Sequence, residues 1–286
     1  MHAEQGELVS SKFIKISKKI LDLAKEMDVV VEIVDARIPF SGANLLDYHA
    51  LGNKKRLIFL TNPHRADAKQ TDAWVEFYKN KGIKCQILDS DKLLLEDNQE
   101  FLNSDWTGEL TKFKNKKILI IGLPDSLRTM VLANLFNLPE LVTGIPSNLY
   151  WKYKATRFEG VEIMVTPDIT PFTPFDQDVY WHTQMLGIFN VDGNEESVAV
   201  KIFEFLVKKY KKKLEEGYGL TPKEPMKVND IVNCLIKIMA ITKAIQINEI
   251  SDLTVACTNF FKDFISGKRI DKVSIEWVSD YEKKSL

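Results

Sequence analysis

The octapeptide Gly122–Thr129, GLPDSLRT, sits between the apolar run KKILII and the helically periodic RTMVLANLF. A strand, a glycine turn and a helix is the arrangement in which backbone N–H groups cradle phosphates. A lysine then reaches the outer phosphates and a Ser or Thr hydroxyl holds magnesium. Gly122 and Thr129 occupy the two ends of that pattern. Arg128 stands at the lysine position, keeping the charge on a wide, forked guanidinium instead of a compact ammonium. Leu127 stands at the second glycine, so it must adopt an unfavourable φ or remodel the turn. Taken alone, the stretch reads better as an ordinary strand–turn–helix than as a phosphate site.

The elements that must position it are legible as periodicities. Lys12–Lys25 places Phe13, Ile16, Ile20 and Leu23 on one helical face. Val29–Val34 is a β-branched run carrying one charge, Glu32, as in a strand covered on both faces, and Pro39 stops it. RLIFL (56–60), IKCQILDS, KKILIIG and VEIMVTPD read as further strands. TDAWVEFYKNKG reads as a helix with Thr71 or Asp72 as N-cap and Gly82 as its stop. Strands alternating with helices imply βαβ units: an α/β fold with a doubly wound, mostly parallel sheet. Such sheets bind ligands at loops after the carboxyl ends of strands, here 35–41, 61–67, 89–92, 122–129 and 165–170. After VDGNEES the pattern turns helical. SVAVKIFEFLVKKYKKKLEEGYG reads as one long helix, VNDIVNCLIKIMAIT and SDLTVACTNFFKDFISGK as two more, and VSIEW as a possible short strand. The expected organisation is one domain over 1–190 and a smaller all-helical C-terminal domain over 195–286.

Composition excludes little. The 286 residues are 45% hydrophobic and 28% charged, a globular profile long enough for a core without metal or disulfide staples. A net charge of −1 does not mark a strong polyanion binder. Residues after 195 nevertheless carry about +3 and those before about −4, which permits RNA contact by the C-terminal part. Cys85, Cys234 and Cys257 are scattered, outside any CxxC or Cys/His cluster, and read as reduced thiols of a cytoplasmic protein. MHAEQGELVSSKF lacks the apolar run of a signal peptide, and no apolar stretch is long enough to span a bilayer.

Order along the chain adds what the octapeptide alone lacks. VVEIVDARIP, GNKKRLIFLTNPHRAD, ILDS, LIIGLPDSLRT, TGIP and VTPDITP resemble, in this order, the circularly permuted GTPases, and among them the ribosome biogenesis GTPase A family. That family places its guanine-reading loop before its P-loop. DARIPFSGAN (35–44) is the most specific match, and the tail FFKDFISGKRIDKVSIEW resembles the end of the family's helical domain. The resemblance spans nearly the whole chain and implies a circularly permuted P-loop G domain.

The resemblance also implies site residues. The guanine-reading NKxD becomes Thr61-Asn62-Pro63-His64, with His64 at the Asp position. A neutral imidazole offers one acceptor and cannot take both guanine N–H groups as a carboxylate can. A shifted reading, HRAD, gives that role to Asp67. The P-loop supplies Gly122, Pro124, Asp125, Ser126, Leu127, Arg128 and Thr129, with Thr129 the metal ligand if magnesium binds. Ser90 falls in the ILDS loop. The family's DTPG becomes VTPD: Val165 replaces the Asp that supports magnesium, while Pro167 is kept and Asp168 replaces the glycine facing the γ-phosphate. A carboxylate about 4 Å from a phosphate charge costs on the order of 1 kcal/mol in water and about 4 when partly buried. Several such losses, at about 1–3 kcal/mol each, move a micromolar site towards millimolar.

The expectation is an assembly factor for the large (50S) ribosomal subunit whose GTPase chemistry is weak or lost, a pseudo-GTPase with no catalytic residue assigned. GTP or GDP and Mg are the cofactors the resemblance implies. The implied partners are the large-subunit precursor and rRNA, met by a monomer without membrane attachment. Lys208, Lys209, Lys211, Lys212, Lys213, Lys268 and Arg269 are the candidate RNA contacts, against the reading of a solvated helix face. Two alternatives stay open: an active, ribosome-stimulated GTPase with remodelled loops, and a protein-interaction scaffold without RNA binding.

Overall fold

The structure, a computed structural model, describes residues 11–43, 46, 51–52, 54–88, 112–124, 151–154, 161–166, 177–188, 193–223, 226–241 and 253–282. The chain divides into two compact units: Met1–Phe175 together with Glu276–Leu286, and Asp176–Ile275.

The first unit is built on a six-stranded sheet in the order β3-β2-β1-β4-β6-β5. Its strands are β1 (Val29–Asp35), β2 (Lys55–Thr61), β3 (Lys84–Ile87), β4 (Lys117–Gly122), β5 (Trp151–Lys154) and β6 (Glu162–Val165). All pairings are parallel except that of β5 with β6. Every residue of β1 is buried, which suits its β-branched run to the centre of the sheet. The single charge in that run, Glu32, is neutralised from the neighbouring strand. Arg56 Nη2 donates to Glu32 Oε2 at 2.8 Å and to the Ala43 carbonyl at 2.6 Å. An unpaired carboxylate at this fully buried position would be strongly destabilising.

Helix α1 (Ser11–Lys25) precedes β1, with Ile20 and Ala24 buried. The short α2 (Pro39–Ala43) follows β1 and is buried throughout. Helix α3 (Ala68–Asn80) joins β2 to β3 and buries Trp74, Phe77 and Tyr78. It starts a turn earlier than its sequence suggests. Asp67, not Thr71 or Asp72, is the N-cap, because its extended backbone lets the carboxylate accept from the N–H groups of Lys69 and Gln70. Gly82, just past its end, has a φ of +74°, a conformation that favours glycine.

The expectation of five strands missed β5. Its four residues alternate aromatic and lysine, a strand-like pattern too short to stand out in sequence, and pairing with β6 fixes them as a strand.

The second unit is helical: α4 (Gln177–Met185), α5 (Glu195–Lys209), α6 (Lys211–Tyr218), α7 (Val228–Ile241) and α8 (Leu253–Ser266). Helix α8 packs against α5 and α7, with Phe203 and Phe260 rings 6.1 Å apart in the core. The single long helix read over 197–219 is two. The chain breaks at Tyr210 (φ −136°, ψ 39°), whose buried hydroxyl donates to the Ser274 carbonyl at 3.2 Å and accepts from the Ser274 N–H at 3.1 Å. A distant partner thus overrides a locally continuous helical pattern. Two further differences concern the boundary. The helical unit begins at Asp176, ahead of the 195 read from sequence, because α4 packs on α5. The segment VSIEW forms no strand, and from Glu276 onward the chain belongs to the sheet-bearing unit.

Candidate nucleotide edge of the sheet

Parallel register brings the carboxyl ends of the central strands to one edge. Asp35 at the end of β1 lies opposite Thr61 at the end of β2, Ile33 opposite Gly122 at the end of β4, and Ile120 opposite Val165 at the end of β6. The loop resembling a guanine reader and the turn that opens GLPDSLRT therefore leave from strands on either side of β1. Loops distant in sequence thereby converge at one edge.

The best-defined part of this edge is a buried polar cluster around Asp35. Arg37 donates to its carboxylate three times: N–H to Oδ1 at 2.8 Å, Nε to Oδ1 at 2.9 Å and Nη2 to Oδ2 at 2.8 Å. Asn62 Nδ2 donates to Oδ2 at 2.8 Å. Burial pushes the Asp35 carboxyl up, but the Arg37 charge, its hydrogen bonds and the Asn62 amide outweigh that and hold it below 3.8. Asn62 itself sits in the left-handed region (φ 55°, ψ 38°), which asparagine tolerates. The backbone is tied as well: Ala36 N–H donates to the Thr61 carbonyl at 2.8 Å, and Thr61 Oγ1 to the Val34 carbonyl at 3.1 Å.

The structure places the predicted site residues unevenly. Thr61 and Asn62 lie at this edge and are buried. Pro63, His64 and Arg65 form a short 3₁₀ turn in which His64 is exposed. Asp67 uses its carboxylate as the α3 cap, accepting from Lys69 N–H at 2.9 Å. Gly122 is buried at the end of β4, and Pro124 is half-exposed beyond it. Val165 is fully buried, so an apolar side chain sits where the resemblance implies a magnesium-supporting carboxylate. Ser90, Asp125, Ser126, Leu127, Arg128, Thr129, Pro167 and Asp168 lie outside the described residues. Among the described residues no three His, Cys, Asp or Glu side chains gather as they would for a metal ion. The cysteines are free thiols, and burial pushes that of Cys257 up to about 11.

Of the basic candidates, Lys208, Lys211, Lys212 and Lys268 are exposed. Lys213 and Arg269, the latter also exposed, have internal partners. Lys213 Nζ donates to the Asp271 carbonyl at 2.9 Å. Arg269 lies 3.4 Å from Asp263 and over the Tyr218 ring.

One residue at the DARIP turn escaped sequence reasoning entirely. Glu276, fully buried, accepts from Phe40 N–H at 2.6 Å, Ser41 N–H at 3.1 Å and Ser41 Oγ. Its only sequence signal was the tail's likeness to the family's terminal segment.

Comparison with known proteins agrees with this order of elements. "Ribosome biogenesis GTPase A" of Priestia megaterium is 25% identical over 217 residues, covering 72% of this chain and 75% of that protein. Its Thermotoga maritima namesake is 27% identical over 198 residues, covering 66% and 68%. The GDP-bound structure of TM YlqF superposes with a TM-score of 0.65 at 22% identity, covering 92% of this chain and all of that one. The chain is similar to the circularly permuted, ribosome biogenesis GTPase A-like proteins. GNP-bound YlqF from T. maritima superposes with a TM-score of 0.61, also at 22% identity. No family model matches the chain. The α/β fold with its mostly parallel sheet and smaller helical domain is thus that of the YlqF structures.

Proposed function

We propose that this protein is a ribosome biogenesis factor acting on the large-subunit precursor in the cytoplasm, with a G domain that binds guanine nucleotide weakly and hydrolyses it poorly or not at all. The first half of the reading is supported by relatives named ribosome biogenesis GTPase A that match 72% and 66% of the chain. The second half is carried by one observation. The two side chains able to stand for the guanine-reading carboxylate are an exposed imidazole, His64, and a carboxylate occupied as a helix cap, Asp67. The buried apolar Val165 adds to it. Where nucleotide does bind, Gly122 and the segment to Thr129 hold the phosphates, and Thr129 is the residue that would hold Mg.

RNA contact falls to the exposed lysines of the α5–α6 corner. Lys211 and Lys212 sit with Lys213 at the start of α6, where positive charge opposes the helix dipole. Helix stability therefore does not explain them, whereas a phosphate backbone does.

Titration calorimetry with GTP, GDP and ATP, with and without magnesium, tests the nucleotide half. The expected result is binding no tighter than roughly millimolar; micromolar, guanine-selective binding would favour the active, ribosome-stimulated GTPase instead. Co-sedimentation with large subunits across a salt series tests the other half. Pelleting that fades steeply with salt is expected, and none at low salt would refute it.

A further inference from the structure

We infer that Glu276–Tyr281 is a strap that positions the candidate nucleotide edge, linking it covalently to the helical unit. Glu276 grips the turn after β1 from both its side chain and its backbone. The carboxylate accepts from the N–H groups of Phe40 and Ser41, the Ser41 hydroxyl, and the Tyr281 hydroxyl at 3.3 Å. Its backbone N–H donates to the Arg37 carbonyl at 3.2 Å, and its carbonyl accepts from Trp74 Nε1 at 3.1 Å. Tyr281 then packs its ring 4.5 Å from Phe40 and 5.4 Å from Trp74. Arg37, held by this grip, is the residue that brackets Asp35, and Asp35 in turn holds the Asn62 amide. The path from Glu276 to the loop resembling a guanine reader therefore runs through contiguous, buried hydrogen bonds.

The other end of the strap is equally fixed. Ser274, fully buried, is bonded in both directions to the Tyr210 hydroxyl inside the helical unit. One residue, Ile275, separates the two anchors. Loosening Glu276 therefore releases the edge at Asn62.

The test is hydrogen exchange by mass spectrometry on the full chain, which needs no nucleotide or ribosome. Its outcome is therefore separate from that of the function proposed above. Glu276→Gln is expected to speed exchange about tenfold in peptides covering 36–43 and also 60–67, leaving 195–218 unchanged. Acceleration confined to 36–43 would reduce Glu276 to a local cap and overturn the inference, as would uniform acceleration across the chain. Should Glu276→Gln fail to fold, the double variant Ser41→Ala/Tyr281→Phe removes two hydroxyl donors to the same carboxylate, and the same pattern decides.

Discussion

Asp35→Ala removes the carboxylate on which the candidate edge is organised. In the wild-type chain the Asp35 side chain is 6% exposed, takes three hydrogen bonds from Arg37 and one from Asn62, and faces an Arg37 side chain that is 11% exposed. Truncation leaves the Arg37 charge buried without its carboxylate, a class of change that costs about 3–5 kcal/mol. Asp35→Asn keeps shape and one acceptor but loses the charge, so its cost should be smaller, about 2 kcal/mol. Asp35→Ala/Arg37→Ala should cost less than the sum of the single changes by about 1–3 kcal/mol, because each single variant already forfeits the pair. Urea unfolding at neutral pH, followed by circular dichroism, measures all of these. The pH dependence supplies a second check. The native carboxyl is held below 3.8, so its contribution is complete above that value and is lost only as pH falls through the lower native one. The wild-type advantage over Asp35→Ala should stay constant between about pH 5 and 8 and shrink below about pH 4. A cost under about 1 kcal/mol, or an advantage already fading near neutrality, would refute the buried-pair reasoning.

Three further outcomes are expected. Arg56→Met should destabilise by about 3–5 kcal/mol by removing the guanidinium bonded to the buried Glu32 carboxylate, and Glu32→Leu/Arg56→Met should recover most of that in the same urea assay. Asp67→Ala should lower stability by about 1 kcal/mol through loss of the α3 cap while leaving nucleotide titrations unchanged; a lost guanine affinity would restore Asp67 as the base reader. Lys212→Ala should reduce the salt slope of subunit co-sedimentation by about one. Lys213→Ala should change it less, because Lys213 is bonded to Asp271.

Much of the edge was legible because it is written in local patterns. The β-branched run before Asp35, the apolar run before Gly122 and the order of DARIP, TNPH and VTPD each depend on a few neighbouring residues. What stayed illegible depends on pairs far apart in sequence. The Asp67 carboxylate looks available to a ligand until the helix is seen to begin at Ala68. Trp151–Lys154 becomes a strand only by pairing with β6.

By itself, the sequence determined the class of fold, because a strand's burial and a helix's face follow from spacing, while the permuted order of its loops was carried by the resemblance of its motifs. It also determined which chemical groups are present to meet a nucleotide: an imidazole, a valine and an arginine where the resemblance implies a carboxylate, a carboxylate and a lysine. Tertiary structure alone decided how other polar groups of the chain are spent. It turned Asp35 towards Arg37 and Asn62, gave Asp67 to a helix end, and broke a continuous helical pattern at Tyr210 for the sake of Ser274. It also brought Glu276 to Ser41 across 235 residues. The physical reason is the same in each case. A buried donor or acceptor must find a partner, and the partner is chosen by proximity in the folded chain, which spacing along the sequence does not encode.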